Sequence, residues 1–385
     1  MQPAEILIVD SEVDLEPLIR QRFRKEIEAG KYKFDFALSG KKALEFIKHN
    51  EGLDIVVTDI YLPDMEGLEL LEKLMQLGRL VKPIIISSYG DMENIRAAMS
   101  RGASDVVTKP VDFDDFKMTI SRTLEQLETL RNAMEARSKF LAISQELDVA
   151  SRLQQAILPK IFIDQKQVQL HGIMRPATEV GGDFYDFFWL DKNHLGVVMA
   201  DVSGKGITAA LFMAVSRTHL KAIAPYAKSP KDCLINLNDE LSQDNETSMF
   251  VTTFYGVINV NTGEFIYSNG GHCLPVLIDA KGKATFMDTT MGMGVGIMEG
   301  IEFGDKKVKL KNGDAVFLYT DGVTEAMNPQ HDEFTGDRLL KSLAKTNKHD
   351  MSDMIDKVVK DVDKFASGAQ QSDDITCLSF RYKGK

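Results

Sequence analysis

Asp54-Ile-Val-Val-Thr-Asp59 is a run of β-branched residues between two carboxylates, and it reads as a strand buried on both faces. Three further runs repeat the pattern: Glu5-Ile-Leu-Ile-Val-Asp10, Pro83-Ile-Ile-Ile-Ser-Ser88 and the weaker Val106-Val107-Thr108. Amphipathic stretches at 12–29, 40–50, 66–77 and 91–101 fall between them. Strand then helix, repeated, predicts an α/β domain over residues 1–122, with a parallel sheet covered by helices on both faces. In such sheets the chemistry collects at the carboxyl ends of the strands. Asp10, Asp59 and Ser87 stand there, and Lys109 follows the fourth run ahead of Pro110, in an X-Pro pair suited to a cis turn.

A lone strand-end Asp more often caps a helix than catalyses. Two of them together can hold Mg²⁺, which takes one or two carboxylates plus phosphate and water. With its charge offset, Asp59 can accept a phosphoryl group. Ser87 then offers a hydroxyl, and Lys109 a point charge, to the phosphoryl oxygens. In order and spacing, Asp10, Asp59-x-x-x-Pro63-x-x-x-Gly67, Ser87-Ser88 and Lys109-Pro110 resemble the receiver domain of two-component response regulators. The resemblance implies a flavodoxin-like fold with a parallel five-stranded sheet. It implies Asp59 as phosphoacceptor, Mg²⁺ held by Asp10, Asp59 and the backbone carbonyl of Tyr61, and Ser87 and Lys109 as switch residues. It also implies a sensor histidine kinase as phosphodonor. Two positions depart from the pattern. Ser11 stands where receivers carry a second acid, which weakens the expected Mg²⁺ site; nearby Glu12 is a candidate to compensate, but its side chain is expected to point elsewhere. Val106 occupies the place, three residues before Lys109, where an aromatic switch often lies.

Residues 112–158 contain neither glycine nor proline, and Pro159 closes the segment. Asp112 can cap a helix there, with Asp115 three residues on. Phe113, Phe116, Ile120, Leu127, Leu130, Met134 and Leu141 keep the three-and-four step of a heptad, with Thr123 and Arg137 as misfits. A second set, Ile143, Leu147, Ala150, Leu153 and Ile157, is out of phase with the first, which reads as a stutter at 137–145. The expectation is a coiled-coil-like helix over 113–158 that overlaps the last receiver helix and joins two copies in a homodimer. Packing of its second half on the following domain is the alternative.

From 160 the pattern changes to grouped strands and grouped helices, an α+β layered domain over 160–385. Four acidic stretches punctuate it: Glu179-Val-Gly-Gly-Asp183-Phe-Tyr-Asp186, Met199-Ala-Asp201-Val-Ser-Gly-Lys-Gly206, Leu318-Tyr-Thr-Asp321-Gly322 and Gln371-Ser-Asp373-Asp374-Ile-Thr376. Each stands at a strand end beside a turn residue, so all four can meet at one edge of the sheets. That much negative charge is expensive without cations. With no His or Cys at ligand spacing, Mg²⁺ or Mn²⁺ is indicated rather than Zn²⁺. Two such ions bridge and activate water for in-line attack on a phosphate.

The four stretches in this order resemble the PPM-type (type 2C) protein serine/threonine phosphatases, in the bacterial branch that regulates anti-sigma factor antagonists. Glu146-Leu-Asp-Val-Ala-Ser-Arg-Leu-Gln-Gln-Ala-Ile-Leu-Pro159 and Asn269-Gly-Gly-His-Cys-Leu-Pro275 are similar to the same branch. The resemblance implies a β-sandwich flanked by helices and two Mn²⁺ or Mg²⁺ ions. The implied ligands are Asp183, a bridging Asp201, the carbonyl of Val202, Asp321 and Asp373, with Asp374 serving a third, weaker metal or supporting the others. The implied reaction is direct hydrolysis of phosphoserine or phosphothreonine without a covalent intermediate, on a phosphorylated anti-sigma factor antagonist. The phosphate-gripping Arg of many eukaryotic relatives has no evident counterpart, which leaves the metals and backbone N–H groups near Gly204–Gly206. His272 is open to two readings, general acid or turn residue, as is Lys205, phosphate contact or solvated. A catalytically idle adaptor acting only by binding is the alternative function.

Composition agrees with a folded, multidomain chain. Its 385 residues are 44% hydrophobic and 27% charged, ordinary globular usage. Net charge is −11, which argues against nucleic acid as a partner. Cys233, Cys273 and Cys377 lie far apart, which excludes a disulfide scaffold and suits a reducing compartment. The N-terminus lacks a signal-peptide pattern, and no apolar run approaches the ~20 residues needed to span a bilayer. The expectation is a cytoplasmic protein without membrane insertion.

Overall fold

The computed structural model describes residues 2–88, 91–243, 245, 248–344, 346 and 350–384. The chain divides into two compact units, Met1–Ala142 and Ile143–Lys385.

In the first unit, β1 (Ala4–Val9), α1 (Leu15–Arg22), α2 (Arg24–Glu28), β2 (Tyr32–Ala37), α3 (Gly40–His49), β3 (Leu53–Asp59), α4 (Gly67–Gln76), β4 (Lys82–Ser88), α5 (Met92–Ser100) and β5 (Asp105–Lys109) precede α6 (Phe113–Ile157). The strands form one sheet in the order β2-β1-β3-β4-β5, and every pairing is parallel. This is the expected five-stranded receiver sheet. β1 shows why the strand runs are continuously apolar: Ile6 and Ile8 enter the core on one face, Leu7 and Val9 the core on the other. β2 is not among the apolar runs because it is an edge strand. It turns Tyr32 and Phe34 inward while Lys33 stays exposed.

The helix expected over 12–29 is broken at Phe23. That residue leaves helical geometry and buries its ring against Phe34 and Phe116, with centroids 5.1 and 5.7 Å away. Tertiary packing of one aromatic overrides the local helical pattern.

Asp112 caps α6 by accepting the N–H groups of Asp114 and Asp115 at 2.9 and 3.3 Å. Phe116 and Ile120 join the receiver core, and Thr123, the misfit of the stripe, is buried with them. Leu127 is the last stripe residue before 142 to be fully buried; Leu130, Met134, Leu141, Ile143 and Leu153 are all exposed.

The second unit contains, after the end of α6, β6 (Val168–Arg175), β7 (Phe184–Trp189), β8 (His194–Val202), α7 (Ile207–Ile223), α8 (Pro230–Ser242), β9 (Val251–Asn259), β10 (Glu264–Gly270), β11 (Val276–Ile278), β12 (Ala284–Phe286), β13 (Lys306–Lys309), β14 (Ala315–Tyr319), α9 (Asp321–Thr324), α10 (Thr335–Leu343), α11 (Met351–Ala366) and β15 (Ile375–Tyr382). Two antiparallel sheets result, β13-β10-β9-β8-β7 and β12-β11-β14-β15-β6. β14 shows how they stack. Val316 and Leu318 face the core shared with the other sheet, while Ala315, Phe317 and Tyr319 face α10 and α11. Helices α7 and α8 cover the first sheet, which completes a β-sandwich flanked by helices. Burying each large aliphatic side chain of this core contributes roughly 1.5–3 kcal/mol.

Candidate phosphoacceptor site and candidate metal centre

In the first unit the strand ends bring Asp10, Asp59 and Lys109 together. Lys109 Nζ lies 2.5 Å from Asp59 Oδ2, 3.0 Å from Asp10 Oδ2 and 2.9 Å from Glu12 Oε1. Burial works against its ammonium, but the bonds to Asp59, Glu12 and Asp10 outweigh that and hold its pKa above the usual lysine range. The Lys109–Pro110 bond is cis. Asp59 Oδ1 accepts the Tyr61 N–H at 3.0 Å, which turns the chain so that the Tyr61 backbone borders the same acids. Ser87 is buried, and its hydroxyl has no hydrogen-bond partner among the described residues. Asp64 instead caps α3, accepting the N–H groups of Gly40 and Lys41 at 2.8 and 3.0 Å.

Glu12 corrects the sequence reading. Asp10 Oδ1 accepts the Glu12 N–H at 2.8 Å, and this tight turn sends the Glu12 carboxylate into the site rather than away. Among the described residues, Asp10, Glu12 and Asp59 are the only such acids whose ligand atoms all lie within 4.8 Å of one another. Three oxygen donors suit Mg²⁺, and in this structure the Lys109 ammonium bonds all three.

In the second unit the four acidic stretches meet across the two sheets. Asp183 precedes β7, Asp201 lies near the end of β8, Asp321 opens α9, and Asp373 precedes β15. Asp183 is buried, and its Oδ2 accepts hydroxyls from Thr320 at 2.7 Å and Thr376 at 2.6 Å. Burial, then the charges of Asp201 and Asp374, hold the Asp183 carboxyl well above the usual carboxylate range. Asp201 is pushed up to about 7, by burial first and the charge of Asp321 next, against a hydrogen bond with Asp183. Burial and then Asp373 raise Asp321 as well. Charges crowded until they resist ionising, with no matching cluster of cations, are a site for hard divalent ions. Among the described residues, the one ammonium paired here is Lys205, 2.8 Å from Asp373 Oδ2. Cys273 stands close enough to feel Asp321 and Asp201, but burial pushes its thiol up to about 12, so it offers no thiolate. The Val202 carbonyl abuts Gly182.

Asp374 has a different set of partners. Its Oδ1 accepts the Ala177 N–H at 2.8 Å, and its Oδ2 accepts Gly182 N–H at 2.8 Å and Asp183 N–H at 3.4 Å. It clamps the backbone ahead of Asp183. Glycine is required where the acidic loops touch: a Cβ on Gly322 would strike the Asp374 carbonyl, and one on Gly181 the Asp374 carboxylate. Asp186 faces elsewhere, 2.7 Å from Arg217 on α7. His272 is buried with both ring nitrogens engaged. A carbonyl can only accept, so Nε2–H donates to Tyr319 O at 3.1 Å and Nδ1 accepts from Thr252 Oγ1 at 2.9 Å. That geometry fits the turn reading, with the imidazole bridging the two sheets. Gln154, near the end of α6, also touches this site, and the sequence held no signal for it beyond its place in the 146–159 stretch.

Comparison with known proteins follows this division. The family description of stage II sporulation protein E (SpoIIE) matches residues 191–383, and that of the response regulator receiver domain matches residues 6–121. Protein IcfG of Synechocystis is 29% identical over 261 residues, which are 61% of this chain and 41% of that protein. Phosphoserine phosphatase RsbU of Bacillus subtilis is 32% identical over 184 residues, 48% of this chain and 54% of that protein. The chain therefore spans about half the length of these relatives. The SiaA-PP2C domain of Pseudomonas aeruginosa shares the fold, with a TM-score of 0.56 at 19% identity, over 64% of this chain and 98% of that one. With half of its sequence matched and the type 2C fold in place, the chain belongs to the stage II sporulation protein E family, and it carries a response regulator receiver domain ahead of that match.

Proposed function

We propose that the chain is a metal-dependent phosphoserine or phosphothreonine phosphatase controlled by a phosphorylatable receiver. The carrying observation is the convergence of Asp183, Asp201 and Asp321 with their carboxyls forced upward by burial and mutual repulsion. Asp183, Asp201, Asp321, Asp373 and the Val202 carbonyl are the groups that would hold two Mn²⁺ or Mg²⁺ ions, with Asp374 fixing the loop beneath them. Such ions supply an activated water and charge for the phosphoryl oxygens when bound. The chain's own part is to orient. Thr320 and Thr376 hold the Asp183 carboxylate and Lys205 balances Asp373, and the backbone N–H groups around Gly204–Gly206 at the start of α7 are the groups proposed to meet the phosphate.

RsbU is described as a phosphoserine phosphatase, and this supports the same substrate chemistry here. The proposed substrate is a phosphorylated anti-sigma factor antagonist. In the receiver, Asp59 is the proposed phosphoacceptor for a sensor histidine kinase, with Mg²⁺ beside Asp10, Asp59 and the Tyr61 carbonyl, and with Ser87 and Lys109 reading the new phosphoryl group. We assign the exposed apolar stripe of α6 to homodimerisation. No described helix is long and apolar enough to cross a membrane, and a cytoplasmic setting completes the reading.

The test is phosphate release from a phosphoserine protein with Mn²⁺, with Mg²⁺ and with chelator, beside Asp201→Ala. Release that needs metal and falls by at least a hundredfold in the variant is expected. No release by the full chain or by residues 146–385 under any metal would favour the idle adaptor.

A further inference from the structure

Residues 291–298 read Met-Gly-Met-Gly-Val-Gly-Ile-Met, with glycine at every second place between apolar side chains. The glycines let the backbone lie close on its neighbours. A Cβ on Gly292 would strike the Asn269 carbonyl, and one on Gly294 the ring of Phe250. At the centre Val295 is buried and pairs antiparallel with Val251 of β9, through two N–H···O bonds of 2.9 and 2.8 Å. Val251 is paired in turn with Val202 of β8. The segment is therefore a strap laid two strand spacings, about 10 Å, from the Val202 backbone. Phe250 ties it to the loop ahead of α7: its N–H donates to Ser203 Oγ at 3.0 Å, and its carbonyl accepts the Ser203 N–H at 2.9 Å. A protein that brings a phosphoserine to Asp201 meets this strap.

With the glycines and Val295 on the buried side, the larger side chains stay outside. Met291, Met293, Ile297 and Met298 are 58%, 44%, 42% and 59% exposed. Apolar side chains gathered on a held backbone mark a contact surface, and the unbranched, polarizable methionines adapt to a partner's shape. The carboxylates at its border say which partner. Asp239 of α8 accepts the Gly300 N–H at 3.3 Å, Glu299 and Glu302 are exposed, and none of the three pairs with a cation among the described residues. A second copy of this chain would set the same carboxylates against one another across a two-fold contact. A partner with lysines or arginines beside an apolar face complements both features.

We propose that the strap at 291–298 is the docking surface for the phosphoprotein substrate, and that it selects a phosphoserine whose flanks are apolar and basic. The inference deepens the phosphatase reading above, on which it rests. The acid centre acts on the phosphate, and the strap acts on the chain that carries it. The strap therefore governs KM for a peptide or protein and is silent toward a bare phosphate ester.

The full chain is assayed with Mn²⁺ on three substrates: a phosphoserine peptide flanked by leucines and lysines, the same peptide with glutamates in place of the lysines, and p-nitrophenyl phosphate. The wild type is expected to show a KM about tenfold lower for the lysine peptide than for the glutamate peptide. The triple variant Met291→Ser, Met293→Ser, Met298→Ser should raise KM for the lysine peptide about tenfold, and leave its kcat and the hydrolysis of p-nitrophenyl phosphate unchanged. Glu299→Lys with Glu302→Lys should reverse the preference between the peptides. A merely structural strap would instead lower the melting temperature and the turnover of all three substrates together. An unchanged peptide KM in the folded triple variant overturns the proposal, as do equal KM values for the two peptides in the wild type. A triple variant that loses a wild-type dimer while keeping its peptide KM gives the strap to a second copy. If the triple variant does not fold, an unreversed preference in the charge-reversal pair overturns the proposal equally. A wild type that hydrolyses none of the three substrates sinks the phosphatase reading; fluorescence anisotropy of the labelled peptides on the same variants then still decides whether the strap is a docking surface.

Discussion

At the residue scale, the sites are governed by which way single side chains turn. Glu12 bends inward on Asp10 and places a third carboxylate beside Asp59. It therefore supplies charge that Ser11 lacks. Glu12→Gln is expected to lower receiver Mg²⁺ affinity about tenfold and to slow phosphorylation of Asp59 by acetyl phosphate, followed by intact mass. An unchanged rate would show that Glu12 only pairs with Lys109. His272 is pushed down to about 4 by burial, partly offset by its bond to Tyr319. Its folded pKa lies below the ordinary 6.5, so between these values the unfolded chain binds a proton here that the folded chain refuses. Stability from this residue is present above about pH 6.5 and is lost as pH falls through about 4. The shift corresponds to about 3 kcal/mol. His272→Gln, which can still donate to Tyr319, should remove that much of the acid-side slope. Urea titrations at pH 7 and pH 4.5, with chelator in both, measure it; parallel losses in the two proteins would contradict the assignment.

At the scale of elements, α6 behaves as two helices in one. Phe116 and Ile120 on its apolar face complete the receiver core and Leu127 is still buried; beyond that, Met134 and Leu141 are 57% and 52% exposed. Apolar side chains at heptad spacing that find no cover in their own unit are suited to a second copy. Met134→Lys with Leu141→Lys is expected to convert a dimer to monomers in sedimentation velocity while leaving receiver folding intact. A wild type that is already monomeric at tens of micromolar would refute the role given to the stripe. The strands carry a parallel lesson. β14 and β15 interleave two cores along one chain, so Thr320 and Thr376, at their ends, are rigid donors to Asp183.

At the scale of the molecule, two acid sites stand in two units, and each has its own cation logic. The receiver site already holds a lysine among its acids, whereas the second site keeps its charge down by raised carboxyl pKa values. Those raised values set a pH dependence. Above about pH 4 the unfolded chain ionises freely, while Asp201 in the folded unit resists to about 7. Metal-free stability from these acids therefore declines as pH rises through that window. Mn²⁺ should reverse the decline, so its upward shift of the melting temperature is expected to be larger at pH 8 than at pH 5. Equal shifts would mean that the ions bind elsewhere. A phosphate mimic on the receiver is expected to change turnover of the full chain and to leave residues 146–385 unaffected.

The parallel α/β class of the first unit, the layered α+β class of the second and the acids at the strand ends could be derived from the chain alone, whereas the edge strand β2 and the division at 142/143 could not. Strand and helix periods, glycine-flanked turns and the absence of helix breakers from 112 to 158 are local properties, and they are expressed wherever such segments lie. What the tertiary structure decided depends on partners far along the chain. Phe23 leaves its helix for Phe116, Glu12 meets Lys109, Asp186 turns to Arg217, His272 joins Thr252 to Tyr319, and Gln154 finds Gly181. A side chain's residue type sets what it can bond to; only packing sets which group lies within 3 Å of it.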